Sequence, residues 1–212
     1  MKRTILMGIF LGLLTFSIAQ TRPEKKTQKD RIHKGFYLSM SIGPSFIAVT
    51  DVAAGDFDYK YKGTGALFDF KIGGSRKENI LLHATLVSSS LVGPKLYAEG
   101  TSMKLPDEIS IGEGMFGLGF TYYVMPQNIF LSASAGIGYF TLSDTKNNVN
   151  ISTDKGFSFQ LKAGKEWWVS RRWGLGIGVT YNRTSLTNRP GGGITELLGS
   201  NNISLLFNAT FN

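Results

Sequence analysis

Between Phe36 and Phe211 one pattern recurs eight times: apolar side chains at every second position, with small or polar ones between them. Successive strand side chains point to opposite faces, so this period of two builds a strand with one apolar face. In residues 35–49, Phe36, Leu38, Met40, Ile42 and Phe46 share one face, and Tyr37, Ser39, Ser41, Gly43 and Ser45 share the other. The same alternation marks strands near residues 64–74, 80–91, 116–124, 129–139, 157–167, 173–181 and 203–211. No comparable stretch after residue 20 carries a helical period, so the chain is all-β.

Eight amphipathic strands suit either a soluble up-and-down barrel with its apolar face inward, or a transmembrane barrel with that face in lipid. The connections separate them. Residues 75–79, 125–128 and 170–172 are tight links, whereas 50–63, 92–114, 142–155 and 182–202 are long. Short turns at one end and long loops at the other mark an outer-membrane barrel, with both termini at the short-turn, periplasmic end. Trp167, Trp168 and Trp173 flank one tight turn, and Tyr122 and Tyr123 flank another. Rings at the headgroup level would form an interfacial aromatic girdle. The expected fold is therefore an eight-stranded antiparallel up-and-down transmembrane β-barrel.

The formal charge of +8 invites a nucleic-acid reading, and its distribution removes it. Lys2 and Arg3 precede an apolar stretch from Ile5 to Phe16, then Ser17, Ile18 and Ala19. This is the layout of a cleaved export signal over 1–19, too short for the ~20 residues of a spanning helix. Residues 20–34 form a polar segment of net charge +4, read as a flexible basic periplasmic tether. The barrel region, 35–212, carries 15 basic and 13 acidic residues, a net charge of only +2. The chain has no Cys, so disulfides, thiolate metal sites and cysteine nucleophiles are excluded.

The run Gly164-Lys165-Glu166-Trp167-Trp168-Val169-Ser170, followed by Trp173-Gly174-Leu175-Gly176, resembles segments of the small outer-membrane β-barrel-domain family. Tyr122-Tyr123-Val124-Met125-Pro126 before Asn128 resembles another element, as does a last strand ending on an aromatic. Here that aromatic is Phe211 with Asn212 beyond it, whereas many members finish on the aromatic itself. The resemblance covers about residues 35–212. It implies an OmpA/OmpX-like eight-stranded barrel in the outer membrane of a Gram-negative cell. It implies no single activity, because that fold hosts adhesins, pore-formers, tethers and a few enzymes.

Chemistry-bearing residues are few. His33 lies in the tether and His83 on the third strand, and there is no other histidine or cysteine to complete a metal site. No cofactor motif is present: Gly191-Gly192-Gly193 lacks the lysine and helix of a phosphate loop. A serine–histidine enzyme acting on lipid would need His83 beside Ser132 or Ser134 with Asp69 or Glu166. The simpler expectation is a lumen polar network of Asp69, Lys71, His83, Lys162 and Glu166, since charges in so narrow an interior must pair. Phe57, Tyr59 and Tyr61 alternate with Asp58, Lys60 and Lys62, suggesting strands extended above the membrane. The expected role is non-enzymatic: a monomeric barrel in outer-membrane lipids whose long loops meet a surface ligand or a host or cell partner. A narrow channel for small or apolar solutes and a lipid-modifying enzyme are the alternatives.

Overall fold

The computed structural model describes residues 31–53, 58–191 and 194–212. The predicted export signal, most of the tether, Phe57, and Gly192 and Gly193 lie outside the described residues. Eight long antiparallel strands form the wall: β1 (Phe36–Ala53), β2 (Asp58–Lys77), β3 (Ile80–Val92), β6 (Ile109–Val124), β7 (Ile129–Asp144), β9 (Gly156–Trp168), β10 (Trp173–Gly191) and β11 (Ile194–Phe211). Each pairs with the next along the chain, and β1 also pairs with β11, which closes the sheet on itself. A hairpin of β4 (Lys95–Ala98) and β5 (Thr101–Lys104) extends the β2 edge, and β8 (Val149–Ser152) pairs with the end of β7.

Several strands outrun the expected ones. The stretch expected as a loop over 182–202 is largely ladder, with Ser185 opposite Gly199 and Asn188 opposite Glu196. Likewise Asp51 pairs with Tyr59, and β6 begins at Ile109 rather than near 116. The amphipathic signal ends where the outer face leaves hydrocarbon, but the backbone ladder does not need it and continues. At the other end the links are tight. Asn79 and Asn128 take left-handed backbone angles (φ 65° and 56°) there, a conformation asparagine tolerates better than most residues.

The register sets the bore. Stepping between paired residues from Tyr37 through Gly73, His83, Gly119, Ser134, Gln160, Asn182 and Asn202 returns to β1 at Ile47, ten positions above the start. Eight strands with that stagger tilt about 43° from the axis and enclose a space that side chains fill. Glycines make that possible where large groups cross. A Cβ at Gly119 would lie 2.8 Å from the His83 ring, and one at Gly164 would lie 2.6 Å from the Phe130 ring.

The barrel is inside-out relative to a soluble one. Phe46, Phe116 and Leu118 are 62%, 62% and 72% exposed, while Lys71, Asp69, Gln160 and Thr180 are buried. Along β1 the exposed apolar residues run from Phe36 to Phe46, which at the estimated tilt spans roughly 24 Å, close to the ~25 Å apolar band of membrane barrels. Tyr122, Trp167 and Trp173 point outward near the short-turn end of this band, and Lys165 lies over the Trp167 ring at 5.6 Å. Tyr123 and Trp168 correct the girdle expectation. Tyr123 is 1% exposed because its strand position faces inward, and Trp168 turns in against the His33 ring at 4.8 Å between centroids.

Leu118 tests the assignment, being the most exposed apolar side chain of β6. Leu118→Arg is expected to destabilise the barrel in lipid vesicles by about 2–4 kcal/mol. Urea titration of the refolded protein measures this, and a neutral effect would place that face in water.

Candidate functional site

The interior is a stack of side-chain layers, and β3 passes through all of them: Leu81, then His83 and Thr85, then Val87, Ser89 and Leu91. Leu81 joins Tyr37, Tyr123 and Phe130 in an apolar floor at the short-turn end. Val87 joins Leu67, Met115 and Leu206 in a middle plate. Leu91 joins Ile47, Val49, Ile111, Phe140 and Leu186 in an upper plate, against which Tyr61 and Leu198 pack. Between these plates lie polar belts.

The lower belt holds the predicted network. Lys162 Nζ donates to Asp69 Oδ2 at 2.8 Å and to Ser41 Oγ at 2.6 Å. Lys71 Nζ lies 3.4 Å from the same Asp69 oxygen and donates to Gln160 Oε1 (2.8 Å) and Ser132 Oγ (3.1 Å). Asp69 thus sits between two lysines. Ser41 continues the chain by donating to Asn208 Oδ1, and Asn208 Nδ2 donates to Glu166 Oε1 at 2.9 Å. Thr210 (2.7 Å) and Tyr123 (3.2 Å) also donate to Glu166. The belt therefore carries two buried cations and two buried carboxylates, and hydrogen bonds connect them. His83 reaches it indirectly, through Thr121 Oγ1 at 2.9 Å and from there Ser132 at 2.9 Å.

This arrangement does not match a hydrolytic triad. Both ring nitrogens of His83 pair with threonines, Thr85 and Thr121, each at 2.9 Å. The serines come one step later, and the carboxylates are engaged by lysines or amides. Among the described residues no serine hydroxyl lies against the imidazole, and Asp69 Oδ1 and Gln160 Nε2 are enclosed without a hydrogen-bond partner.

A buried carboxyl and a buried imidazole lie outside the expected network. Glu113, within the stretch 92–114 expected as a long link, lies inside at 9% exposure and accepts from Thr184 (2.5 Å), Ser200 (2.8 Å) and Asn202 (2.5 Å). It forms the upper belt, one register step from Ser89. Extending the alternation of Tyr123, Thr121, Gly119, Gly117 and Met115 by one more step finds it.

His33 is the second, and it corrects the tether boundary. The tether was expected to run to Lys34, yet His33 is 1% exposed. Its backbone N–H donates to Asn79 Oδ1 (3.0 Å), and its carbonyl accepts from the Asn79 N–H (2.9 Å). Its Nε2 bonds Asn128 Oδ1 at 2.8 Å, and its ring stacks on Tyr123 with centroids 3.5 Å apart. The two turn asparagines that adopt left-handed angles therefore also grip the incoming chain. An apolar contact between His33 and Tyr123 was invisible in a polar, aperiodic segment.

With the geometry in place, the comparisons add resemblance of shape. Neither the protein-family models nor the curated proteins include a match to this chain. Among solved structures it is similar to the outer-membrane protein OprG from Pseudomonas aeruginosa, at 14% identity over 85% of this chain and 98% of that one, with a TM-score of 0.49. It is similar to Neisserial surface protein A at 14% identity, 82% and 96% coverage and a TM-score of 0.47. It is similar to Ail of Yersinia pestis at 12% identity, 82% and 99% coverage and a TM-score of 0.42.

Asp69→Asn leaves Lys71 and Lys162 facing each other without a counter-charge, and is expected to cost about 3–5 kcal/mol in a urea titration. A second outcome concerns pH. Burial holds the His33 imidazole at about 4, against 6.5 for a free histidine, even though the Asn128 bond opposes the shift. The undocked segment therefore binds the proton more readily, and docking weakens as pH falls from about 6.5 to about 4. Protection factors for amide exchange at His33 and Asn79, corrected for the intrinsic fall in rate with pH, are expected to drop over that window while those of β3 and β6 hold.

Proposed function

We propose that this chain is an exported, monomeric outer-membrane protein that neither catalyses nor conducts, anchored by its barrel and working through its long-strand end. The observation that carries this reading is the filled lumen: three apolar plates alternate with two polar belts whose side chains bond one another across the bore. A channel needs a continuous polar path, and the Leu67, Val87, Met115 and Leu206 plate interrupts it. An enzyme acting on lipid needs a reactive group open to its substrate, and His83 is enclosed.

The outward face supports placement in outer-membrane lipid. Lys62 lies opposite Ala48, two residues past Phe46, and Lys95 and Lys104 continue the same row across β4 and β5. All three are exposed, and Lys62 and Lys95 both lie over the Tyr97 ring, at 5.4 and 5.2 Å. Like charges in adjacent register repel unless an anion joins them; Asp107 pairs with Lys104 at 3.1 Å, and lipid phosphates at this height above the band would serve Lys62 and Lys95. The projecting β4–β5 hairpin and the upper ends of β10 and β11 offer the surface for a ligand or cell partner.

Purified protein in planar bilayers is expected to show no discrete conductance steps while migrating in the heat-modifiable manner of a folded barrel. His83→Ala is expected to leave the acylation pattern of envelope lipids unchanged. Steady conductance, or an acylation change abolished by that substitution, overturns the reading.

A further inference from the structure

Above the upper plate the barrel wall continues and encloses a cup of about 270 Å³, near the lower end of the ~300–1,000 Å³ typical of small-molecule pockets. Val49, Tyr61, Ile111, Phe140 and Leu198 form much of its lower part, so the cup is blind: the same side chains that close the lumen are its base. Leu142, Ile151 and Pro190 add apolar wall higher up.

Thr141, Thr153 and Asn188 interrupt this apolar lining, as do two carboxylates, Asp51 from β1 and Glu196 from β11. Among the described residues the ion pairs are Lys34–Glu78, Lys71–Asp69, Lys104–Asp107 and Lys162–Asp69, and neither Asp51 nor Glu196 takes part. Glu196 Oε2 accepts from Asn188 Nδ2 at 2.8 Å, whose own Oδ1 accepts from the Asp154 N–H at 2.9 Å. One N–H and the oxygen of that amide are thereby engaged. Asp51 Oδ1 is enclosed with no hydrogen-bond donor. Among the described residues the lining holds two carboxyl groups and no lysine, arginine or histidine, so the cup is electrostatically short of a cation.

From the geometry we infer that this cup binds a small organic cation: a protonated amine at Asp51 and Glu196, with a compact apolar body against Tyr61, Phe140 and Leu198. Among the described residues no group of three or more His, Cys, Asp or Glu side chains is placed to hold a metal ion, and the cup brings only two carboxylates together. An ammonium group supplies the donor that Asp51 Oδ1 lacks, and an aromatic or aliphatic body matches the remaining wall. This goes beyond the anchoring role proposed above and does not depend on what the outer surface meets.

The test compares phenethylamine with 2-phenylethanol, which keeps the ring and chain but lacks the charge. Binding to the full chain in lipid nanodiscs at pH 7 is followed by calorimetry. Saturable amine binding at least about tenfold tighter than the alcohol is expected, with the preference lost in Asp51→Asn. Glu196→Gln is expected to weaken the amine in the same direction, and serves if Asp51→Asn fails to fold, judged by heat-modifiable migration. Equal binding of amine and alcohol, no saturable amine binding, or a preference retained by the folded variants overturns the inference.

Discussion

The pairing of β1 with β11 is the contact on which the rest depends. Backbone N–H and C=O groups in hydrocarbon have no water to turn to, so an open sheet edge is not tolerated there. The seam pairs Leu38 with Phe211 at one end and Ala53 with Glu196 at the other, and leaves no edge along the apolar band. Closure then dictates the interior. With eight strands and a ten-residue stagger the bore is narrow, so whatever faces inward must pack against what faces it. The glycines opposite His83 and Phe130, the alternating plates and belts, and the pairing of Asp69 with two lysines are solutions to that one confinement.

Confinement also explains why the charges are arranged as they are. Hydrocarbon surrounds the wall, so the solvent that would screen a lysine elsewhere is replaced by fixed hydroxyls and amides: Ser41, Ser132, Gln160 and Asn208. A belt assembled this way holds each lysine by several partners at once.

Most of the wall was legible from alternation, because outer-face residues such as Leu118 and inner-face residues such as Thr121 obey a period of two. The ends of the strands were not. Above the band both faces meet polar surroundings, the contrast between Asn182 and Arg183 or Ser200 and Asn201 vanishes, and a ladder looks like a loop. Charge placement was half legible: Asp69, Lys71, Lys162 and Glu166 lay in clear strands, while Glu113 lay just past the point where the pattern fades. Pairs of adjacent aromatics were the most misleading. Tyr122 and Tyr123, or Trp167 and Trp168, necessarily point to opposite faces of a strand, so only one of each couple can meet the lipid interface. The cup at the mouth was invisible for a different reason, since Asp51 and Glu196 are remote in the chain and meet only through the seam.

The grip on His33 has a mechanical consequence. β1 is a seam strand, and a load applied at the N-terminus would otherwise peel it from β2 and β11 one residue at a time. Because His33 is bonded to the β2–β3 turn through Asn79 and to the β6–β7 turn through Asn128, the load reaches two hairpins before it reaches Phe36. Asn128 in turn donates to the Glu166 carbonyl, passing part of it to β9. The floor therefore acts as a strain relief, in the way a cable is clamped ahead of its connector, and the preceding chain can be pulled without the barrel being unzipped.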